Sequence, residues 1–301
     1  MRLVLFLAIA PLAAAAFAQP EPVGVHHIHG LAFDSRDPTT LLVATHTGLA
    51  RIRPGANPEW VGGSRFDLMG FTVSPAELGT LYASGHPDLA TYRREGEGNL
   101  GLLVSRDGGR TWEGVALKGH ADFHALTYSP DRGGELLGWS VAAEPGLYRI
   151  STKTWVAERL PAQGLKDLFA LAASHDLPSR LLAGTPGGLL LSQDRGVTWR
   201  LVAGIPRDVP VTAVAYSPTA KRRVYAYAAR AGYGLMLSDD AGATWRPTGQ
   251  VAMPKEPVIA IAPGPGNKVA VATTVASVSV SDDAGKSWRL VLDKGRVTTT
   301  R

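Results

Sequence analysis

Short apolar segments alternate with glycine- and proline-rich turns along almost the whole chain. Six segments share a phrase in which an apolar strand ends in Ser-Pro or a similar turn, and a second apolar segment follows each copy. Alternation of this kind over four to eight residues is typical of half-buried β-strands. We therefore predict that the phrase is the innermost strand of a repeated unit, with copies at residues 30–35, 70–75, 125–130, 170–175, 213–218 and 259–263.

A second phrase, Ser-x-Asp-x-Gly-x-Thr/Ser-Trp, occurs four times, at residues 105–112, 192–199, 238–245 and 281–288. Its Asp can accept hydrogen bonds across its own turn and its Gly supplies a positive φ, so the phrase predicts a tight turn between antiparallel strands. The Trp buries its ring between neighbouring sheets. We assign a structural role to Asp107, Trp112, Asp194, Trp199, Asp240, Trp245, Asp283 and Trp288.

The spacing of the tryptophans gives the length of the repeat. Trp199 and Trp245 are 46 residues apart, and Trp245 and Trp288 are 43 apart. Repeats of about 40 to 45 residues are the length of a four-stranded propeller blade. Together with the six inner-strand phrases, this spacing predicts an all-β chain in which residues 19–301 form a single six-bladed β-propeller of four-stranded antiparallel blades.

The chain resembles the Asp-box (BNR) repeat proteins in its repeated phrase Ser-x-Asp-x-Gly-x-Thr/Ser-Trp. This group includes sialidases, sortilin-type receptors and photosystem II assembly-factor-like proteins. The resemblance implies a β-propeller whose Asp-box turns act in folding and lie far from the ligand face. The segments around His27, His46, Met69, His86 and His124 also resemble a group of exported bacterial Asp-box proteins labelled as glycosyl hydrolases or sialidase-like. This second resemblance covers essentially the whole mature chain.

The N-terminal segment predicts export. Residues 3–17 are almost wholly apolar, Arg2 precedes them, and Ala16-Phe17-Ala18 stands before Gln19. This is the arrangement of a signal peptide with a small-x-small cleavage site, and the apolar run is too short to favour a membrane span. We predict a signal peptide at residues 1–18, a periplasmic or secreted mature protein, and no membrane span after cleavage.

Charge and cysteine content exclude several kinds of site and partner. The chain has no cysteine, which excludes disulfides, thiolate metal sites and a lipid-modified N-terminal cysteine. Its net charge of +5 is spread along the sequence without a Lys/Arg block, so we do not expect a nucleic acid as partner.

The histidines are the strongest candidates for a functional site, because seven of the eight lie within the first 124 residues. When the repeats are aligned on the inner-strand phrase, the candidates fall at the start of a first strand or the end of a second strand. In an up-and-down meander these positions meet at one end of the sheet, opposite the Asp-box turns. We predict a cluster at the channel mouth of blades one to three, made of His27, His29, His46, Met69, His86 and His124, with Asp67 and Asp122 as alternative ligands or as groups that orient the histidines.

Three interpretations of the cluster stay open. Imidazoles bind copper, zinc, nickel or iron, and a thioether adds a preference for copper, so the favoured interpretation is a metal site with copper first and zinc as the alternative. The same polar mouth would also suit a small organic ligand or a protein partner. In the third interpretation the residues only line the channel and satisfy one another.

An enzyme is the less favoured prediction, and a binding protein without catalysis is preferred. The stretch Arg51-Ile52-Arg53 only loosely resembles the early Arg-Ile-Pro motif of sialidases and follows the second strand of a repeat. Glycoside hydrolysis needs two carboxyl groups that face each other across the substrate. Asp67, Asp122 and Asp167 are the acids in register, so a glycosyl hydrolase is the alternative function.

Overall fold

The computed structural model describes residues 23–249 and 256–298, and these form six antiparallel sheets arranged as the blades of a β-propeller. The predicted all-β, six-bladed fold is confirmed. Each sheet has four strands in chain order, and the last has a fifth. The predicted signal peptide, residues 1–18, lies outside the described residues.

The first strand of each blade is the innermost, since these six strands contact one another in ring order and line the central channel. The inner-strand phrases of the sequence fall on them. The strands are, in blade one, β1 (Ile28–Asp34), β2 (Asp37–Thr45), β3 (Gly48–Ile52) and β4 (Glu59–Trp60); in blade two, β5 (Asp67–Val73), β6 (Leu81–His86), β7 (Leu102–Ser105) and β8 (Glu113–Ala116); in blade three, β9 (Phe123–Ser129), β10 (Glu135–Ser140), β11 (Gly146–Ser151) and β12 (Ala157–Arg159); in blade four, β13 (Ala170–Ala173), β14 (Leu181–Thr185), β15 (Gly188–Ser192) and β16 (Arg200–Leu201); in blade five, β17 (Val211–Tyr216), β18 (Val224–Ala228), β19 (Gly234–Ser238) and β20 (Arg246–Pro247); and in blade six, β21 (Val258–Pro263), β22 (Val269–Thr273), β23 (Val278–Ser281), β24 (Arg289–Asp293) and β25 (Arg296–Val297).

Helical structure in the described residues is confined to short segments. Helix α1 (Leu89–Glu95) follows β6, and a 3₁₀ turn (Asp131–Gly133) joins β9 to β10. The Asp88 carboxylate caps α1 by accepting a hydrogen bond from the Thr91 N–H at 2.8 Å. Capping of this kind satisfies a backbone donor that has no partner inside the helix.

The hydrophobic core is divided among the junctions between blades. Leu42 of blade one, for example, packs in one cluster with Leu68 and Leu81 of blade two, and an equivalent cluster lies between every other pair of neighbouring blades. Each sheet therefore buries both faces, one against each neighbour. This explains why most residues of the second strands are buried.

The four repeated turns, at residues 105–112, 192–199, 238–245 and 281–288, connect the third and fourth strands of their blades, and we call them the aspartate turns. In the first, the Ser105 hydroxyl accepts a hydrogen bond from the Gly109 N–H and donates one to Asp107, both at 2.8 Å. Asp107 also accepts hydrogen bonds from the N–H and hydroxyl of Thr111. The same set of bonds recurs in the other three turns. The Trp of each turn lies directly before the fourth strand and does not begin it.

The ring closes by packing between the first and last blades. Among the described residues, β1–β4 make up blade one and β21–β25 make up blade six, with no exchange of strands. Val25, ahead of β1, donates a backbone hydrogen bond of 3.4 Å to the Gly295 carbonyl and shares a buried cluster with Val278 and Leu292.

A β-bulge interrupts the start of most inner strands. In blade one, Ile28 pairs with Thr45 and Gly30 pairs with Ala44, so His29 is an extra residue without a partner. The same irregularity makes extra residues of Met69, His124, Thr212 and Ile259 in blades two, three, five and six. A bulge bends the strand and turns its extra side chain out of the regular alternation.

The glycine after the bulge lets neighbouring inner strands come close. A side chain at Gly30 would place its Cβ 2.7 Å from the Cβ of Phe71, and one at Gly70 would approach the Phe123 carbonyl oxygen to 2.3 Å. The inner strands of blades one and two are therefore each held tightly against the next blade near their starts.

Candidate metal centre

Side chains at the starts of the inner strands line one mouth of the central channel. His29, Met69, His124 and Phe169 line the channel at this end, in blades one to four. Behind them lies a cavity of about 410 Å³ bounded by the inner strands. The aspartate turns lie at the opposite end of the blades, because they connect third to fourth strands whereas this mouth holds the turns between second and third strands.

Three donor atoms from blades one and two converge at this mouth. His29 Nε2 lies 3.3 Å from His46 Nδ1 and 3.6 Å from Asp67 Oδ1. His46 Nδ1 lies 2.8 Å from the same Asp67 oxygen. We call His29, His46 and Asp67 the triad. Among residues 23–249 and 256–298, it is the set of three His, Cys, Asp or Glu side chains whose donor atoms all lie within 4.8 Å of one another.

Local structure positions each member of the triad. His29 is the bulge residue of β1, and Asp67 is the first residue of β5. His46 occupies the two-residue turn between β2 and β3. The Thr45 hydroxyl fixes that turn by donating a hydrogen bond to the Gly48 carbonyl at 2.9 Å and accepting one from the Thr47 N–H at 3.1 Å.

A second group continues from the triad into blades two and three. His86 lies between two carboxylates, with Nδ1 3.5 Å from Asp67 Oδ2 and Nε2 3.4 Å from Asp122 Oδ2. His124 Nε2 lies 2.8 Å from Asp122 Oδ2, within hydrogen-bonding distance. The mouth therefore carries a continuous row in which imidazoles and carboxylates alternate, running from His46 to His124.

Both carboxylates in this row have an unsatisfied oxygen. Oδ1 of Asp67 and Oδ1 of Asp122 are buried and accept no hydrogen bond from the described residues. His46 Nδ1 is near Asp67 Oδ1 but is not oriented to donate to it. Asp122 is the more deeply buried, with 6% of its side chain exposed. A buried carboxylate oxygen without a donor is costly unless a cation or a ligand compensates it.

The surroundings of the bulge histidines His29 and His124 shift their pKa values in opposite directions. Burial, reinforced by the neighbouring His46, lowers the pKa of His29 to about 4 despite the opposing effect of Asp67. Its imidazole is thus uncharged at neutral pH, which is the form that binds metals. The hydrogen bond to Asp122 raises the pKa of His124 above its usual value, against the effect of burial.

Met69 and His27 lie beside these groups. Met69 is the bulge residue of blade two and lines the mouth together with His29 and His124. His27 precedes β1 in a left-handed conformation with φ of 50°, and its ring centroid is 5.0 Å from that of His46.

The remaining histidines lie away from the row. His26 and His120 are exposed, and His175 lines the other end of the channel, where burial lowers its pKa.

The arginines of the sialidase-like stretch do not face the channel. Arg51 of β3 donates a hydrogen bond of 3.0 Å to Glu59 of the outermost strand β4, and Arg53 pairs with the same carboxylate. These arginines are therefore engaged on the outer part of blade one.

Sequence reasoning ranked Asp67 below the histidines, as an alternative ligand or an orienting group, yet in the structure it lies between them. Its two oxygens face different partners, Oδ1 towards the triad and Oδ2 towards His86. The signal available in the sequence was its alignment with Asp122 at the start of the inner strand. What the sequence did not reveal is that this position contacts the second-strand histidine of the preceding blade.

No family model and no curated protein sequence matches this chain. Among solved structures it is similar to the GH74 xyloglucanase from Xanthomonas campestris, with 19% identity, 89% of this chain and 46% of that chain covered, and a TM-score of 0.57. It is also similar to an ancestral GH74 enzyme, with 16% identity, 93% and 40% coverage and a TM-score of 0.56. A chain of a nidogen–laminin complex matches with 9% identity, 83% and 90% coverage and a TM-score of 0.61.

These similarities establish the propeller fold alone. The identities are too low to indicate a shared site or activity. The chain spans less than half the length of the two GH74 enzymes. No helix of the described residues has the length and apolar character required to cross a membrane.

Proposed function

We propose that this protein is an exported metal-binding propeller that holds a transition-metal ion between His29, His46 and Asp67. The observation that carries the proposal is the size of the triangle formed by the three donor atoms. A circle through points separated by 3.3, 3.6 and 2.8 Å has a radius of about 1.9 Å, slightly shorter than the roughly 2.0–2.2 Å between zinc and a histidine nitrogen or carboxylate oxygen. One ion just above the plane would reach all three atoms.

The electrostatics of the triad agree with this role. The low pKa of His29 removes competition from protons at neutral pH. The unpaired Oδ1 of Asp67 supplies the negative charge that a divalent cation would neutralise.

Imidazole and carboxylate are ligands that both Cu(II) and Zn(II) accept. Cu(II) stands above zinc in the general order of affinities, so copper is the preferred ion and zinc the alternative. Three protein ligands leave room for at least one further ligand, such as water.

The test is a metal titration of the protein purified without an affinity tag and stripped with a chelator. We expect one tight equivalent of Zn(II) or Cu(II) at the triad, measured by competition with a chromophoric chelator. The variants His29→Ala and His46→Ala should each lower the affinity about 100-fold or more, since loss of even an orienting neighbour of a ligand costs 10- to 100-fold.

The matched control is His120→Ala, because His120 is an exposed histidine away from the mouth. It should bind as the wild type does. Unchanged affinity in both triad variants, or no tight binding by the wild type, would refute the metal site.

The channel supports a second candidate function, the binding of a small organic molecule. Ligand pockets usually measure about 300 to 1,000 Å³ and combine apolar walls with a few polar groups, and the 410 Å³ cavity with the histidine row at its mouth fits that description. If the titration fails, thermal-shift screening with glycosides and other organic ligands is the next experiment. Turnover of a glycoside in that screen would favour the hydrolase alternative.

A further inference from the structure

We propose that a second metal site, selective for Cu(I), lies one blade along from the triad, at Met69, His86 and Asp122, with His124 beside it. This inference rests on the proposed function and adds to it. It follows from the symmetry of the ring, because each ligand position of the triad has an equivalent in the next blade.

The equivalence is visible in the strand register. The triad consists of the bulge residue of blade one, the histidine directly after the second strand of that blade, and the aspartate two residues before the bulge of blade two. One blade further, the same three positions are held by Met69, His86 and Asp122. The histidine–carboxylate contact across the blade junction is also repeated, at 2.8 Å between His46 and Asp67 and at 3.4 Å between His86 and Asp122.

At the second position, the carboxylate of Asp122 points to a cation. Asp122 is almost fully buried, and its Oδ1 accepts no hydrogen bond from the described residues. His86 Nε2 approaches the other oxygen, Oδ2, to 3.4 Å, and His124 lies within hydrogen-bonding distance of that same oxygen, at 2.8 Å.

The donor sets of the two positions differ in one respect. Where the triad has the imidazole of His29, the second position has the thioether of Met69. Thioethers are soft ligands that select Cu(I), whereas two imidazoles with a carboxylate suit divalent ions. We therefore expect the two positions to prefer different ions: the triad takes Zn(II) or Cu(II), and the Met69 position takes Cu(I).

The pattern ends after the second position. The residue equivalent to His46 and His86 in blade three is Val141, whose N–H donates a backbone hydrogen bond to the Asp122 carbonyl at 3.0 Å. A valine offers no ligand, so the ring continues neither the row nor the metal sites into blade four.

The experiment loads the stripped protein with one equivalent of Zn(II) and then titrates it with Cu(I) under anaerobic conditions, against a chromophoric Cu(I) chelator. The wild type should bind one Cu(I) while retaining its zinc, and X-ray absorption should show sulfur scattering from the copper. In Met69→Leu, which preserves side-chain size, Cu(I) affinity should fall about tenfold or more, with zinc binding unchanged.

Met236→Leu is the matched control, because Met236 is a buried core residue of blade five; it should bind both metals as the wild type does. His86→Ala provides a second variant and should lower Cu(I) affinity at least as much as Met69→Leu. Equal Cu(I) affinity in the wild type and Met69→Leu would overturn the proposal. So would displacement of zinc by copper with a constant total of one ion, because that result means a single shared site. Failure of zinc to bind at all would instead refute the triad.

Discussion

Aspartate carboxylates lie at both ends of this propeller. Those in the turns accept several hydrogen bonds, whereas those at the channel mouth have an oxygen that accepts none. In the third aspartate turn, Asp240 accepts hydrogen bonds from Ser238, from the Ala243 N–H and from both the N–H and hydroxyl of Thr244. At the other end, Asp122 is far more deeply buried and yet has an oxygen without a donor.

We infer that the difference separates a carboxylate that stabilises the fold from one that is available to the proposed metal site. The turn carboxylate stabilises the fold, because its hydrogen bonds replace those that it makes to water in the unfolded chain. At the channel mouth the rest of the fold must offset the burial of a poorly bonded charge. Such a destabilising group is expected where it binds a ligand. A carboxylate oxygen without a hydrogen-bond donor therefore distinguishes the mouth from the turns better than residue type does.

The largest effect is expected when the same substitution, Asp to Asn, is made once at the channel mouth and once in an aspartate turn. Asp67→Asn should weaken Zn(II) binding about 100-fold and leave the melting temperature unchanged or higher, because it removes a buried charge with an unpaired oxygen. Asp240→Asn should lower the melting temperature by a few degrees and leave zinc affinity intact. Thermal denaturation and zinc competition on both variants check this, and a loss of both properties in either variant would contradict the division of roles.

Next in size is the packing beneath an aspartate turn. Trp199 is 7% exposed, and its indole N–H donates a hydrogen bond of 3.1 Å to the Gly196 carbonyl. Trp199→Ala should lower the free energy of unfolding by about 3 kcal/mol, the usual cost of emptying a buried aromatic site. Chemical denaturation measures the loss. Trp60→Ala, at a half-buried position of blade one, should cost less, and zinc affinity of the folded Trp199 variant should match the wild type.

A smaller effect is expected in acid. Hydrogen bonds within the turns lower the pKa values of Asp107 and Asp240 to about 2, from an ordinary value of about 4. Because the folded-state pKa values lie below the unfolded ones, this stabilisation is complete above pH 4 or so and is lost as the pH falls towards 2.

The melting temperature measured across this range should therefore fall less steeply in the double variant Asp107→Asn/Asp240→Asn than in the wild type. Parallel curves for the two proteins would show that the turn carboxylates do not contribute in this way.

The smallest effect is expected at Arg51. Its guanidinium bonds to Glu59, which is 44% exposed, and such surface pairs contribute about 0 to 1 kcal/mol. Arg51→Ala should leave zinc affinity and the melting temperature nearly unchanged. A glycoside hydrolysis that is present in the wild type and absent from this variant would instead support a sialidase-like site.

The blades could be predicted from the sequence because they depend on local signals. Alternating apolar residues marked the inner and second strands, and the Ser-x-Asp-x-Gly phrases marked turns whose hydrogen bonds span only four residues. Such signals involve residues close together in the sequence, so they predict strands and turns without any knowledge of the neighbouring blades.

The candidate site was only partly accessible by the same reasoning. Alignment on the inner-strand phrase placed His27 and His29 at the start of a first strand, whereas β1 begins at Ile28 and His29 is a bulge residue. A bulge breaks the period of two without leaving a mark in the side-chain pattern. Likewise, the contact between His46 and Asp67 joins two blades, and its existence depends on how closely the strands pack at Gly30.

The recurrence of the bulge means that this ring can gain new chemistry through very few sequence changes. Blade three already has His124 at the bulge, and blade four has the exposed Asp167 ahead of its inner strand. Only the half-exposed Val141 separates them from the arrangement of the triad. Val141→His would complete it, so a single amino-acid substitution would be enough to add such a position, and repeated blades can differ in their binding residues while the scaffold stays the same.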